Sequence, residues 1–181
     1  MFLDKFKETP KDKTLYIMVV GGLIIVLLIQ ILVFMPIEAS VSTYGILAFE
    51  FAWTQEKVEQ IFSVWGMRGI SLETSAIYWD FLYIVGYVSI AFGLIILVLR
   101  RAEDKLQKLG IFITITPFLT GIFDIIENIN LLIMTDSPHS VSTINAFTAS
   151  VSATIKFISL FTAIIYFVIA LILVIIKKFR D

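Results

Sequence analysis

The sequence predicts an all-α fold, a four-helix transmembrane bundle, and three observations carry that prediction. Four apolar blocks, at about 15–35, 77–99, 109–134 and 144–176, each exceed the roughly 20 residues that a helix rising 1.5 Å per residue needs to cross about 30 Å of hydrocarbon. Hydrophobic residues make up 59% of the 181, and they come in runs too long for the core helices of a soluble domain. None of the runs shows the period of two that a transmembrane strand would need. One membrane domain, residues 1–181, is the natural reading.

The first block follows Lys5, Lys7, Lys11 and Lys13. It is too long for the apolar core of a cleaved leader, so an uncleaved anchor is expected despite the small residue Ala39 beyond it. Phe2, Leu3 and Phe6, interspersed with Lys, read as a short interfacial foot ended by Pro10. An outer loop, 36–75, comes next. Within it Thr54 is a candidate N-cap, with Lys57 standing where a capping box would prefer Glu or Gln. Val58, Ile61, Phe62 and Trp65 recur at helical spacing, and Gly66 is the expected stop. This predicts an amphipathic helix, packed on the ends of the spans or lying on the membrane.

Arg100, Arg101, Lys105 and Lys108 separate blocks two and three, and Lys177, Lys178 and Arg180 follow block four. Since Lys and Arg of short loops stay on the cytoplasmic side, all three basic clusters agree on a chain with both termini inside, on the cytoplasmic face of its membrane. The opposite side holds only Lys57 and Arg68. Trp53, Trp65, Trp79, Tyr44 and Tyr78 fall where an outer aromatic belt is expected. Pro117 is expected to kink the third span near mid-membrane and free a carbonyl for a ligand or hydroxyl.

Charged residues inside the runs are the functional signal, because ionisable groups in hydrocarbon are costly and rarely face lipid. Gln30 lies 17 residues after Lys13, Asp80 lies 20 before Arg100, Asp124 and Glu127 lie 16 and 19 after Lys108, and Lys156 lies 21 before Lys177. At the helical rise these positions are about 24–32 Å from the inner surface. All four spans thus bring polar groups to one outer level. The faces agree as well: Asp80, Tyr83 and Tyr87 share one side of span two; Pro117, Thr120, Asp124 and Glu127 share one side of span three, with Asn128 beside them; Ser152, Lys156, Ser159 and Ala163 line span four; and Gly22, Val26 and Gln30 line span one. Ser142, Ala146, Ala149, Ser150 and Ala153 suit close helix approach.

The candidate binding cluster is therefore Gln30, Asp80, Tyr83, Tyr87, Asp124, Glu127, Asn128 and Lys156. Its carboxyls and single ammonium cannot all be ionised comfortably in a low dielectric, so at least one acid is expected to keep its proton, as acid–base work or proton relay would require. An ion-pair network that only fixes helix register is the plain alternative. Lys156 also lies shallow enough to reach interfacial water by snorkelling.

Other chemistries are excluded or weak. With no cysteine there is no disulfide, thiolate nucleophile or Cys-ligated metal, and the lone His139 sits in a short turn, TDSPHSVST, where a surface position is expected. No cofactor motif, hydrolase elbow or phosphate loop is present, no spacing marks a metal site, and no basic stripe argues for nucleic acid. The partners left are the bilayer itself, a lipid or amphiphilic small molecule, and a further copy of the chain. Three functions follow: a pocket for a lipid or amphiphile, a proton- or ion-coupled path for a small solute using Ser89, Thr114 and Thr116, and an assembly protein without a ligand.

The pieces FEFAWTQEKVEQIFSVWG, YWDFLYIVGY and PFLTGIFDIIENINLL resemble recurring blocks of uncharacterised small prokaryotic four-span membrane proteins, with FDIIEN the most distinctive. That resemblance implies the four-span fold and no activity. In architecture alone the chain is also similar to the emopamil-binding/EXPERA group.

Overall fold

Apolar side chains decide the helices, and the computed structural model, which describes residues 2–41 and 43–180, is all-helical among those residues. The side chains of residues 2–4 and 104 lie outside the description, so the expected foot of Phe2 and Leu3 does too. After a 3-10 turn at Phe2–Lys7, α1 spans Asp12–Ile29 and runs through a π-helical stretch at Gln30–Phe34 into α2, Met35–Ser40. Then come α3, Ile46–Glu50; α4, Gln55–Leu99; α5, Asp104–Ile113; α6, Thr116–Asp136; and α7, Thr143–Arg180. Four stretches are long and apolar enough to cross a membrane: Asp12–Ser40, Gln55–Leu99, Lys105–Asp136 and Thr143–Arg180. Ile17, Leu28, Ile125 and Ile165 are among the large apolar side chains these helices leave exposed, as a lipid-facing surface requires.

Helix α4 is the centre, packed against α1, α6 and α7, while α6 and α7 form the tightest pair. Glycines set the α1–α4 seam. A Cβ on Gly22 would stand 2.5 Å from the Gly86 carbonyl oxygen, and one on Gly93 would stand 3.2 Å from that of Leu15. Without a hydrophobic drive between helices in lipid, such backbone proximity supplies the packing. Along α7, Ala146, Ala149, Ala153 and Ala163 are buried at the same kind of seam. At the basic end Arg100 ties the N-terminal segment down, donating to Phe6 O at 3.0 Å and Pro10 O at 2.7 Å and pairing with Asp12.

Gly66 ends the first helix of this stretch as the sequence predicts: its φ of 62° and ψ of 177° are non-helical, and a second helix leaves from that kink, the two together filling the 45 residues of α4. A glycine allows that left-handed turn without a Cβ clash, so a stop signal here serves as a corner. The stretch Lys105–Asp136 is interrupted beside Pro117, as expected, at Thr114–Ile115, which leaves Pro117 in the first turn of α6, where its missing N–H is harmless. The carbonyl left free, Ile113 O, accepts from the Thr116 hydroxyl at 2.8 Å, the hydroxyl use that was expected. Of the two placements expected for the amphipathic helix, the packed one is found: Phe49, Val58, Ile61, Phe62 and Trp65 fold inward onto Leu131, Met134 and Ala149 as one apolar cluster.

The expected cap is in place, with Thr54 Oγ1 accepting from Lys57 N–H at 3.3 Å. Replacing Thr54 with Ala should lower stability by about 1 kcal/mol. Thermal unfolding of the reconstituted protein checks this, and no change would mean that packing alone fixes the start of α4.

Candidate functional site

A lysine in an apolar helix either reaches for water or finds partners, and Lys156 finds partners. Its side chain turns inward from α7 and is buried, contrary to the snorkelling expectation. Its Nζ lies 3.0 Å from Asp124 Oδ1, 2.8 Å from Glu127 Oε2 and 3.4 Å from Glu50 Oε2. Asp124 and Glu127 arrive from α6, three residues apart and so on one face. Tyr87, from α4, donates its hydroxyl to Asp124 Oδ2 at 2.7 Å. One ammonium among three carboxyls leaves an excess of acid, which buried protons or a bound cation must offset. Glu127 is fully buried, and its Oε1 has no hydrogen-bond partner.

The remaining residues of the expected cluster form two flanking pairs. Asn128 Nδ2 donates to Asp80 Oδ2 at 2.6 Å, and Tyr83 donates its hydroxyl to Gln30 Oε1 at 3.4 Å, a long contact. The structure thus brings Tyr87, Asp124, Glu127 and Lys156 into contact and sets Asp80, Asn128, Tyr83 and Gln30 beside them. The two apolar clusters enclose this layer from either end, one built on Phe49 and Leu131, the other on Leu15, Phe92 and Ile96. His139 is exposed in its turn, and Trp53, Trp79 and Tyr78 are exposed too. Trp65 is not part of that belt: it is buried and donates Nε1–H to Tyr44 O at 2.8 Å.

Two carboxylates were not foreseen. Glu50 closes α3, and the loop after it is pinned to α7 by Ser150, whose Oγ donates to Glu50 O at 2.7 Å and accepts from Trp53 N–H at 2.9 Å. That bond holds Trp53 at φ 61°, a backbone conformation costing a non-glycine residue about 1–2 kcal/mol. Burial pushes the Glu50 carboxyl above its usual range, with the Lys156 charge opposing. Glu73, on α4, is only 3% exposed and makes no hydrogen bond or ion pair among the described residues. Its charged neighbours are Glu38 and Glu50, both of its own sign.

These unforeseen acids share a cavity of about 230 Å³ between α2, α3 and α4. Glu38, Glu50, Glu73 and Asp80 give it an acidic lining, and Phe34, Ile37, Ile46 and Leu47 give it an apolar one. Glu50 belongs both to this cavity and to the Lys156 network, and it is the residue that joins the two. Among the described residues no three His, Asp or Glu side chains are grouped so as to hold a metal ion. No family model, curated protein or solved structure matches this chain. The site therefore stands on its own geometry: an amphiphilic hollow, acid on one side and hydrocarbon on the other, backed by a buried ammonium.

Proposed function

We propose that the chain is an integral membrane protein, both termini cytoplasmic, whose acidic cavity binds a lipid or other amphiphile by a polar end that donates hydrogen bonds or positive charge. The observation that carries this reading is Glu73, a residue only 3% exposed that lines the cavity and has no hydrogen bond or ion pair among the described residues. A buried acid without a partner is costly, and a donor arriving in the cavity removes that cost. The cavity is smaller than the about 300–1,000 Å³ that encloses a drug-sized ligand, so it suits a head group while the apolar body lies along Phe34 and the exposed Leu47. The π-helical stretch starts at Gln30 on the cavity wall, a distortion that recurs at functional sites.

The other readings find less support. A solute path would need polar groups through the inner half of the bundle, yet Thr114, Thr116 and Ser89 give their hydroxyls to the backbone carbonyls of Ile111, Ile113 and Val85, at 2.6, 2.8 and 2.7 Å. An assembly role without a ligand leaves Glu73 unexplained.

A long-chain alkylamine is the probe, titrated calorimetrically into the protein in lipid nanodiscs against empty discs. Binding above the empty-disc background is expected, weakened about tenfold by Glu73→Gln, the worth of one charge-assisted hydrogen bond. An alkyl sulfate of equal chain length should not bind. If the amine shows no binding above background, or binds Glu73→Gln and Glu73→Leu as tightly as the wild type, the reading fails.

A further inference from the structure

The basic end of the molecule carries a second hollow, larger than the acidic one and separate from it. It measures about 920 Å³ and lies where the α4–α5 corner meets the last turns of α7. Arg101, Lys105, Lys177 and Arg180 line it, against one carboxylate, Glu103, which pairs with Lys177 at 3.2 Å. Among the described residues, Lys105 and Arg180 make no hydrogen bond or ion pair, so the hollow holds cationic groups with no anion of their own. Its other wall is hydrocarbon. Leu173 and Ile176 line the same hollow from α7 and are 49% and 52% exposed, on a helix long enough to cross a membrane.

From this geometry we infer that the hollow is a binding site for an anionic phospholipid, with its phosphate between Lys105 and Arg180 and an acyl chain along Leu173 and Ile176, while Arg101, paired with Asp12 and bonded to Leu97 O, adds positive charge at the rim. Each wall has its reason. Basic pockets at the bilayer surface take anionic head groups, and the guanidinium fork of Arg180 matches phosphate oxygens. A free phosphate ion would use the cations and leave the apolar wall in water, whereas a phospholipid uses both. The volume falls within the range of ligand pockets and leaves room for a glycerol-linked head group. The site does not depend on the acidic cavity, because it shares no residue with it.

The test is native mass spectrometry of the full chain with phosphatidylglycerol or phosphatidylcholine of identical acyl chains, with inorganic phosphate as competitor. Phosphatidylglycerol should be retained in preference to phosphatidylcholine, the doubly substituted Lys105→Gln, Arg180→Gln protein should retain it about thirtyfold less, and Lys57→Gln, at the opposite end, should retain it as the wild type does. Lys105 and Arg180 are exposed and Lys57 is half-buried, and far-ultraviolet circular dichroism checks that both variants keep their helices. Equal retention of the two lipids, unaltered retention by the double variant, or displacement of the lipid by phosphate at the same concentration would each overturn the assignment.

Discussion

Replacing Lys156 with Leu should lower the unfolding free energy by about 3–5 kcal/mol, the cost of leaving buried acids without their counter-charge. The same change at Lys57, a residue near the surface whose ammonium bonds Gln60 and the Tyr44 hydroxyl, should cost about 1 kcal/mol or less. Both are read as denaturant unfolding of reconstituted protein. The contrast follows from Glu50, Asp124 and Glu127, all turned toward one ammonium with little water to take its place. Adding Glu127→Gln to the Lys156→Leu protein should recover part of the loss, because it removes one of the orphaned charges; a coupling of about 1–3 kcal/mol is expected between the two positions. Equal losses at Lys156 and Lys57 would mean that the Lys156 ammonium reaches water and that the network contributes nothing.

Substituting Gly22 with Leu should cost about 3 kcal/mol, the upper end for overpacking a tight interface. Its Cβ alone would meet the Gly86 carbonyl oxygen and, at 2.9 Å, the Ile90 side chain, so α1 must move off α4. The neighbouring Gly21→Leu is the control, since a Cβ there has nothing within 4 Å. Thermal unfolding of the pair separates a seam effect from a general penalty for adding leucine to α1. If the two variants unfold alike, the close approach of the helices is not what holds α1 in place.

Lys156, Asp124 and Glu127 were legible in the sequence for the reason that makes Lys156→Leu severe: a charge inside an apolar run has few alternatives to a buried partner. Depth could be counted from the basic anchors, so the shared level of Gln30, Asp80 and Lys156 was legible too. Glu50 and Glu73 were not. They lie in the 36–75 segment, where a carboxylate in water needs no explanation, and only tertiary folding carries that segment inward. The fastening that does so is the Ser150 hydroxyl, which reads in sequence as one small residue among several along α7. Gly66 and Pro117 were legible as interruptions of regular helix, yet the residue type does not say how the chain continues past them, since that depends on which neighbours take up the backbone groups left over.

All three tryptophans, Trp53, Trp65 and Trp79, lie between the end of α3 and the middle of α4. Indole fluorescence is therefore a one-sided optical reporter supplied by the chain itself. An amine settling beside Glu73 should perturb the emission, whereas a phospholipid seated by Lys105 and Arg180 should leave it dark to the event. A single unlabelled sample can thus tell which of the two hollows a molecule has occupied.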